Sequence, residues 1–469
     1  MVDLRWNVLL DKEVVSVVIS AEEQYKKMTE TPVGRLIVSL GIPTTISMLV
    51  TNLYNMADTY FVSELGNSAS GAVGVVFALM AIIQAFGFMY GQGAGSNIGR
   101  LLGAHNTKRA GVFATTSLVT GMITGVIITV FGFCYRPELM RLLGSTDTIL
   151  PYAMEYSKYI LLAAPLMIAG CILNNILRFE GKAAYAMIGL VSGGILNIFG
   201  DFYLIKILGL GVKGAGIATA GSQCISFVIL LLPFMKKIPQ SRISFKLLTR
   251  EFGVIGNIIA VGMPSMMRQG LNSISTMILN KSAAPYGDEA IAAMSIVARV
   301  IGLLFCVGLG IGQGFQPVCG FNFGAGKYDR VKKSYWFTYC FMTILLGFTG
   351  LLGFIFAPEV VRMFRDDVTV VSIGTVALRY QSISLLFVPM TVSGNMLFQS
   401  AGKSGRATFL AATRSGLFFI PIIILLSQVM GLKGIEISQA LADVMAAACT
   451  LPIVLVFLRS LKTGDKKDI

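Results

Sequence analysis

Two acids stand where acids are expensive. Asp58, in LVTNLYNMADTYFVSELG, and Asp201, in LNIFGDFYLIK, each lie within a long apolar run, and a carboxylate so placed is costly unless it has a partner or a task. Asn197 precedes Asp201 by one helical turn, so the two share a helix face. Thr219, in KGAGIATA, and Tyr156, in AMEYSKYI, add two hydroxyl groups. Two carboxylates, an amide oxygen and hydroxyls form a set of hard oxygen donors, suited to Na⁺ or to a proton held between the carboxylates. The partners that would position them must come from the rest of the chain.

The chain's 469 residues are 55% hydrophobic and only 13% charged, with a mean hydropathy of +0.74. Such a composition belongs to an all-α integral membrane protein with many spans. The net charge of +14 does not mark a nucleic-acid binder, because the basic residues sit in short gaps between apolar runs rather than on one polar face. Cys134, Cys171, Cys224, Cys306, Cys319, Cys340 and Cys449 form no CxxC pair and have no metal-ligand spacing, and the single histidine, His105, lies in a polar gap. A zinc centre and a histidine-based catalytic set are thereby excluded, and the chain is expected not to be an enzyme and to need no cofactor. Residues 1–30 lack the uninterrupted apolar core of a signal peptide and are expected to form a cytosolic tail, within which Met28 is a second possible start to Met1.

Apolar runs long enough to cross ~30 Å of hydrocarbon number twelve, at 36–63, 69–92, 111–135, 149–174, 184–206, 213–235, 252–280, 289–314, 332–356, 369–398, 407–430 and 434–458. Lys and Arg concentrate in the gaps after even-numbered spans and in the tail 461–469. The positive-inside rule therefore puts both termini in the cytoplasm of a multi-pass plasma (inner) membrane protein. In that topology Asp58 lies ~9 Å, Asp201 ~8 Å and Thr219 ~9 Å below the outer ends of spans 1, 5 and 6, a common depth. Tyr156, in span 4, also falls in the outer half.

The sequence repeats itself at an offset of 221 residues. GIP at 41–43 recurs as GMP at 262–264, GQG at 91–93 as GQG at 312–314, and RPELMR at 136–141 as APEVVR at 357–362; Asn174 recurs as Asn395 and GK at 181–182 as GK at 402–403. Six spans per repeat give two halves of the same orientation, related by a pseudo-twofold axis along the membrane normal, the plan of an alternating-access transporter. The expected lobes are 31–238 and 239–460. At the repeat offset Asp58 becomes Leu279, Asn197 becomes Phe418 and Asp201 becomes Ile422, while Thr219 pairs with Gln439 one residue out of step. The carboxylate cluster is therefore expected in the first lobe alone.

With these motifs in hand, the chain resembles the multidrug and toxic compound extrusion (MATE) family over about residues 31–460. The resemblance rests on GIP followed by MADTYFVSELG, on GQGAGSNIGRLLGA, ILRFEGK, LNIFGDFYLI and KGAGIATA, and on the second GQG with FGAGKYD. It implies a cation-coupling site in the N-terminal lobe at Asp58, Asn197, Asp201, Thr219 and Tyr156, with Na⁺ held at the first four if sodium is the coupling ion. Some relatives use acids in spans 7 and 10 instead; here those spans offer Arg268, Gln269 and Asn272, and Gln381 and Asn395.

The expected function is antiport, with inward H⁺ or Na⁺ exchanged for outward cationic or amphiphilic drug-like molecules, which would give antibiotic resistance to the host. No GxxxxGK[ST] loop supports drive by ATP. Pro43 removes a backbone hydrogen bond from span 1 and gives it a place to bend. Asn55, Arg268 and Asn272 are candidates to line the cavity, and Arg268, Arg299 and Arg379 are expected to be held within their lobe by Asp443 or by carbonyls. The alternative is a translocator of lipids or lipid-linked saccharides, which would need a basic cavity. Expected partners are small molecules and the lipid bilayer, with no nucleic acid and a monomeric state.

Overall fold

The computed structural model describes residues 21–461, and the tail readings for 1–20 and 462–469 lie outside the described residues. A short helix, α1 (Ala21–Glu30), precedes the first lobe. That lobe contains α2 (Val33–Ser63), α3 (Asn67–Gly103), α4 (Thr107–Cys134), the short α5 (Arg136–Leu142), α6 (Leu150–Phe179), α7 (Ala183–Asp201), which runs on through a π-turn at Phe202–Ile207, and α8 (Gly211–Met235). The second lobe repeats it with α9 (Phe252–Ala283), α10 (Asp288–Gly324), α11 (Tyr328–Ile355), the short α12 (Ala357–Phe364), α13 (Val368–Ser384), α14 (Val388–Ser400), α15 (Ser404–Ala412), a π-turn at Thr413–Phe418, α16 (Phe419–Val429) and α17 (Leu432–Ser460). No strand occurs among the described residues.

Among the described residues ten helices are long and apolar enough to cross a membrane, and the α13–α14 pair, bent by 50°, makes an eleventh span. The twelfth is α9, which has the length, 32 residues, but is diluted by Asn257, Arg268, Gln269, Asn272 and Asn280. The break in span 10, expected to be continuous, falls at Leu385–Phe387, just before Pro389 in the first turn of α14. A proline there lacks the donor that would continue α13.

The repeat is visible in single hydrogen bonds. Asn174 Nδ2 donates to Ala186 O at 3.0 Å, and 221 residues later Asn395 Nδ2 donates to Ala407 O at 2.6 Å. Gly181 and Gly402 both take φ +74°, a left-handed turn that a side chain would strain. RPELMR and APEVVR become the paired short helices α5 and α12, each with proline in its first turn.

Several helices outrun the apolar stretches that predict them. GQGAGSNIGRLLG continues α3 to Gly103, and the matching segment continues α10 to Gly324. Glycine costs helix stability in isolation, but here it lets the backbones of opposite lobes touch. Gly93 faces the carbonyl of Ile258, Gly262 that of Met89, Gly103 that of Phe321 and Gly324 that of Arg100. Gly41 of α2 likewise meets Ile311 and Gly310 of α10.

These cross-lobe contacts lie in the halves of the helices nearest α1, which itself spans the junction. Gln24 donates to the Glu180 carbonyl of the first lobe, and Tyr25 stacks on His105 at 4.2 Å. Toward the second lobe, Asn322 donates to Met28 O at 3.0 Å and Arg330 to Thr31 O at 2.7 Å. Farther along, Asn52 Nδ2 approaches Cys306 Sγ at 3.2 Å. Beyond it Leu53, Met56 and Tyr60 on α2, and Ile274 and Met277 on α9, stand exposed.

Candidate functional site

Four helices of the first lobe converge on Asp58. It projects from α2, Tyr156 from α6, Asn197 and Asp201 from α7, and Thr219 from α8. All five are buried, none more than 2% exposed. Two glycines permit the approach. A Cβ at Gly194 of α7 would stand 2.9 Å from Val50 and 3.1 Å from Tyr54 on α2, and one at Gly216 of α8 would stand 2.8 Å from Tyr159 and 3.3 Å from Tyr156 on α6. The shortest distance at each, 2.9 Å and 2.8 Å, is one that real Cβ atoms essentially never show, so each glycine sets a helix spacing.

Tyr156 is the hub. Its phenol donates to Asp58 Oδ2 at 2.8 Å and lies 3.2 Å from Thr219 Oγ1. Asn197 Nδ2 donates to the same Thr219 oxygen at 3.1 Å. Asp201 is near enough to both Asp58 and Tyr156 for its charge to act on them. What stays unpaired is all acceptor: Asp58 Oδ1, Asn197 Oδ1 and both oxygens of Asp201, each buried without a hydrogen-bond partner. Buried acceptors are normally paired, so four orphaned oxygens in one pocket, two carboxylates among them, fit a small cation or transferable protons.

The sequence reasoning passed over Tyr54 and Gln223. Tyr54 is buried one turn before Asp58, and its hydroxyl accepts from Gln223 Nε2 at 3.5 Å, which extends the polar chain to α8. The signal was available in the spacing of four residues to Asp58, but an aromatic residue in an apolar run passes for packing. At the open end, Lys206 Nζ meets Glu64 at 3.1 Å and ties the end of α2 to the π-turn after Asp201. π-turns inside helices occur often at functional sites.

The other sequence candidates lie apart from this cluster. Asn55 is half-buried and makes no side-chain hydrogen bond among the described residues. Pro43 sits inside an unbroken α2, where Ser47 Oγ bonds its carbonyl at 2.9 Å. Arg268 is half-buried, with Nη1 3.4 Å from Asn395 Oδ1, and Asn272 is exposed. Arg379 donates to Phe354 O at 3.3 Å, and Arg299 is exposed. Of the two expected holds on these arginines, Asp443 or carbonyls, Arg379 takes a carbonyl, and none of the three pairs with Asp443 among the described residues. Asp443 pairs with Arg414 at 2.7 Å and also accepts from Ser384 at 2.9 Å and Gln439 at 3.0 Å. Arg414 reaches it from the π-turn Thr413–Phe418, a break in regular helix that helical periodicity does not foresee.

The MatE family profile matches residues 43–203 and again 264–425, once in each lobe. The chain belongs to the MatE family. Among curated relatives, the multidrug export protein MepA of Staphylococcus saprophyticus is 26% identical over 451 residues, covering 96% of this chain and 99% of its own. MepA of Staphylococcus haemolyticus is 26% identical over 449 residues, with the same coverage. Among solved structures, a MATE transporter in complex with MaL6 superposes with a TM-score of 0.88 at 27% identity, over 94% of this chain and 99% of that one. An outward-facing multidrug resistance MATE transporter of the MOP superfamily superposes equally well, with a TM-score of 0.88 at 26% identity, over 92% and 98% of the two chains. This MATE protein is thus a multi-pass membrane transporter, built from two six-helix lobes.

Proposed function

We propose that this MATE transporter is a secondary active efflux antiporter of the plasma membrane, exchanging inward H⁺ or Na⁺ for outward cationic or amphiphilic drug-like molecules. The observation that carries the reading is the pocket of Asp58 and Asp201, with four unpaired oxygens gathered around the Tyr156 hydroxyl and the Asn197–Thr219 hydrogen bond. Asp58 and Asp201 supply the charge that a cation or protons neutralise, Asn197 and Thr219 supply neutral oxygens, and Tyr156 holds Asp58 in place. A ligand shifts an equilibrium only by its differential affinity for the two states. A cation bound between α2, α7 and α8 therefore couples to access if those helices pack differently when the other side opens, with Pro43 as the flexible point of α2.

The lobes are taken as 31–238 and 239–460, with both termini cytoplasmic. In that orientation the cross-lobe contacts near α1 close the cytoplasmic side, and the exposed stretch of α2 and α9 opens outward. Relatives named as multidrug exporters favour this reading over lipid-linked saccharide translocation. The test is efflux of a fluorescent cation from proteoliposomes with Na⁺ and pH gradients imposed separately. One gradient should accelerate efflux, and Asp201→Asn should abolish that acceleration. If neither gradient accelerates efflux, antiport is refuted.

A further inference from the structure

A second polar region, of opposite sign, lies where the lobes meet. Arg178, at the end of α6, is 3% exposed and crosses the junction to donate to Gln313 of α10, while its Nη2 donates to Asn175 Oδ1 at 2.6 Å. Arg268, on α9, is half-buried, and among the described residues its side-chain hydrogen bond is to Asn395. One residue links the two neighbourhoods. Gln399 donates to Ser265, one turn from Arg268, at 3.0 Å and accepts from Gln316, one turn from Gln313, at 3.0 Å. The two guanidinium groups are close enough to interact with each other.

All their oxygen partners are neutral amides, and neither arginine has a carboxylate partner among the described residues. Unpaired buried atoms here are of both kinds: the donors Arg178 Nε, Gln313 Nε2 and Gln92 Nε2, and the amide oxygens Gln92 Oε1 and Gln316 Oε1. Unlike the Asp58 pocket, where every leftover atom is an acceptor, this region has free donors and no carboxylate among the described residues. Two neighbouring guanidinium groups, one buried and one half-buried, with no carboxylate between them leave positive charge uncompensated, whereas buried charge is normally compensated. An arginine fork beside amide donors matches the planar oxygens of a carboxylate.

We propose that Arg268, Arg178 and Gln313 form an anion-binding subsite at the floor of the interlobe cavity that receives the carboxylate of a zwitterionic substrate. The cationic part of such a molecule then lies toward the first lobe and its acids. Arg268, being half-buried, makes the first contact; Arg178 and Gln313 lie deeper and belong to opposite lobes. An anion bound between them also holds the closed side together. The inference rests on the antiport reading for what the cavity carries, but not for how transport is driven.

The test compares tetramethylrhodamine, a zwitterion with a free carboxylate, with its methyl ester, a cation of nearly the same shape. Binding to the purified full-length transporter is measured by fluorescence polarisation without any gradient. The wild-type protein should bind the acid at least about tenfold more tightly than the ester, the size of one charge-assisted hydrogen bond. Arg268→Gln should erase that preference by weakening the acid without weakening the cationic ester, which loses a like charge beside it, and Arg268→Lys should restore part of the preference. Equal binding of acid and ester by the wild type, or an equal loss of both in Arg268→Gln, overturns the proposal. A third arm adds inorganic phosphate and follows thermal unfolding. Stabilisation of the wild type but not of Arg268→Gln, without an acid preference, means that a free inorganic anion occupies the subsite and overturns the assignment to substrate. Failure of any gradient to drive ester efflux, with the acid preference intact, refutes antiport and leaves the subsite standing.

Discussion

Asp58→Asn separates charge from shape at the proposed coupling site. The asparagine Oδ1 can still accept the Tyr156 hydrogen bond that Asp58 Oδ2 accepts at 2.8 Å, so the packing of α2 against α6 is retained. What disappears is one of two negative charges in a pocket whose remaining oxygens are unpaired. For a cation held ~4 Å from the carboxylate at an effective dielectric of ~20, that charge is worth about 4 kcal/mol, which corresponds to roughly three orders of magnitude in cation affinity. A thousandfold rise in the half-saturating cation concentration puts it beyond any gradient a cell maintains. Gradient-driven efflux should then fall to the rate seen without a gradient, while binding of the ester probe at equilibrium stays within about threefold. Proteoliposomes loaded with that dye and given stepwise Na⁺ or pH gradients report both quantities. If Asp58→Asn keeps a half-saturating cation concentration within about threefold of the wild type, the pocket does not hold the coupling ion and the argument from the orphaned oxygens fails.

Three further outcomes are expected. Arg414→Ala leaves Asp443 buried with only Ser384 and Gln439 as partners, and breaking such a pair should cost about 3–5 kcal/mol, visible as a lower unfolding temperature in detergent with the ion preference for transport unchanged. Gly216→Val, which forces a side chain into Tyr156 and Tyr159, should weaken cation dependence at least as much as Tyr156→Phe, and an unchanged dependence would show that the α6–α8 spacing is not limiting. Combined Asn322→Ala and Arg330→Ala removes the second lobe's bonds to Met28 of α1 and to Thr31 just after it, together worth ~2 kcal/mol at about 1 kcal/mol per hydrogen bond; spin labels on opposite lobes near Gly103 and Gly324 should then report a larger separated population.

The cluster around Asp58 was legible because each of its acids is an anomaly on its own: a carboxylate in an apolar run needs a reason, and a spacing of four residues ties Asn197 to Asp201. The two-lobe plan was legible because the repeat keeps its register, down to the shared hydrogen bonds of Asn174 and Asn395. Arg178 was not. In ILRFEGK it looks like a loop charge after a span, and only the extension of α6 to Phe179 and the meeting of the lobes bury it. The GQG segments misled in the same way, since glycines that suggest a helix end in one lobe become contact points once the other lobe is present. Hydropathy describes how a residue meets lipid; these residues meet the opposite lobe, and a linear pattern carries no trace of that.

The second lobe clarifies why coupling should be confined to the first. Where Thr219 has Gln439 as its counterpart, the glutamine donates to Asp443, and Asp443 is already paired with Arg414. The second lobe thus has an acid in the corresponding region, but it also has a permanent cation beside it. An arginine fixed at 2.7 Å supplies the neutralising charge that, in the first lobe, has no source among the described residues. A pocket that carries its own cation has no differential affinity to offer an ion from solution, whereas one that lacks a cation does. On the proposed scheme the pseudo-symmetric lobes therefore divide the work: the first changes its charge as ions come and go, and the second keeps its charge balanced throughout and moves against it as a fixed partner.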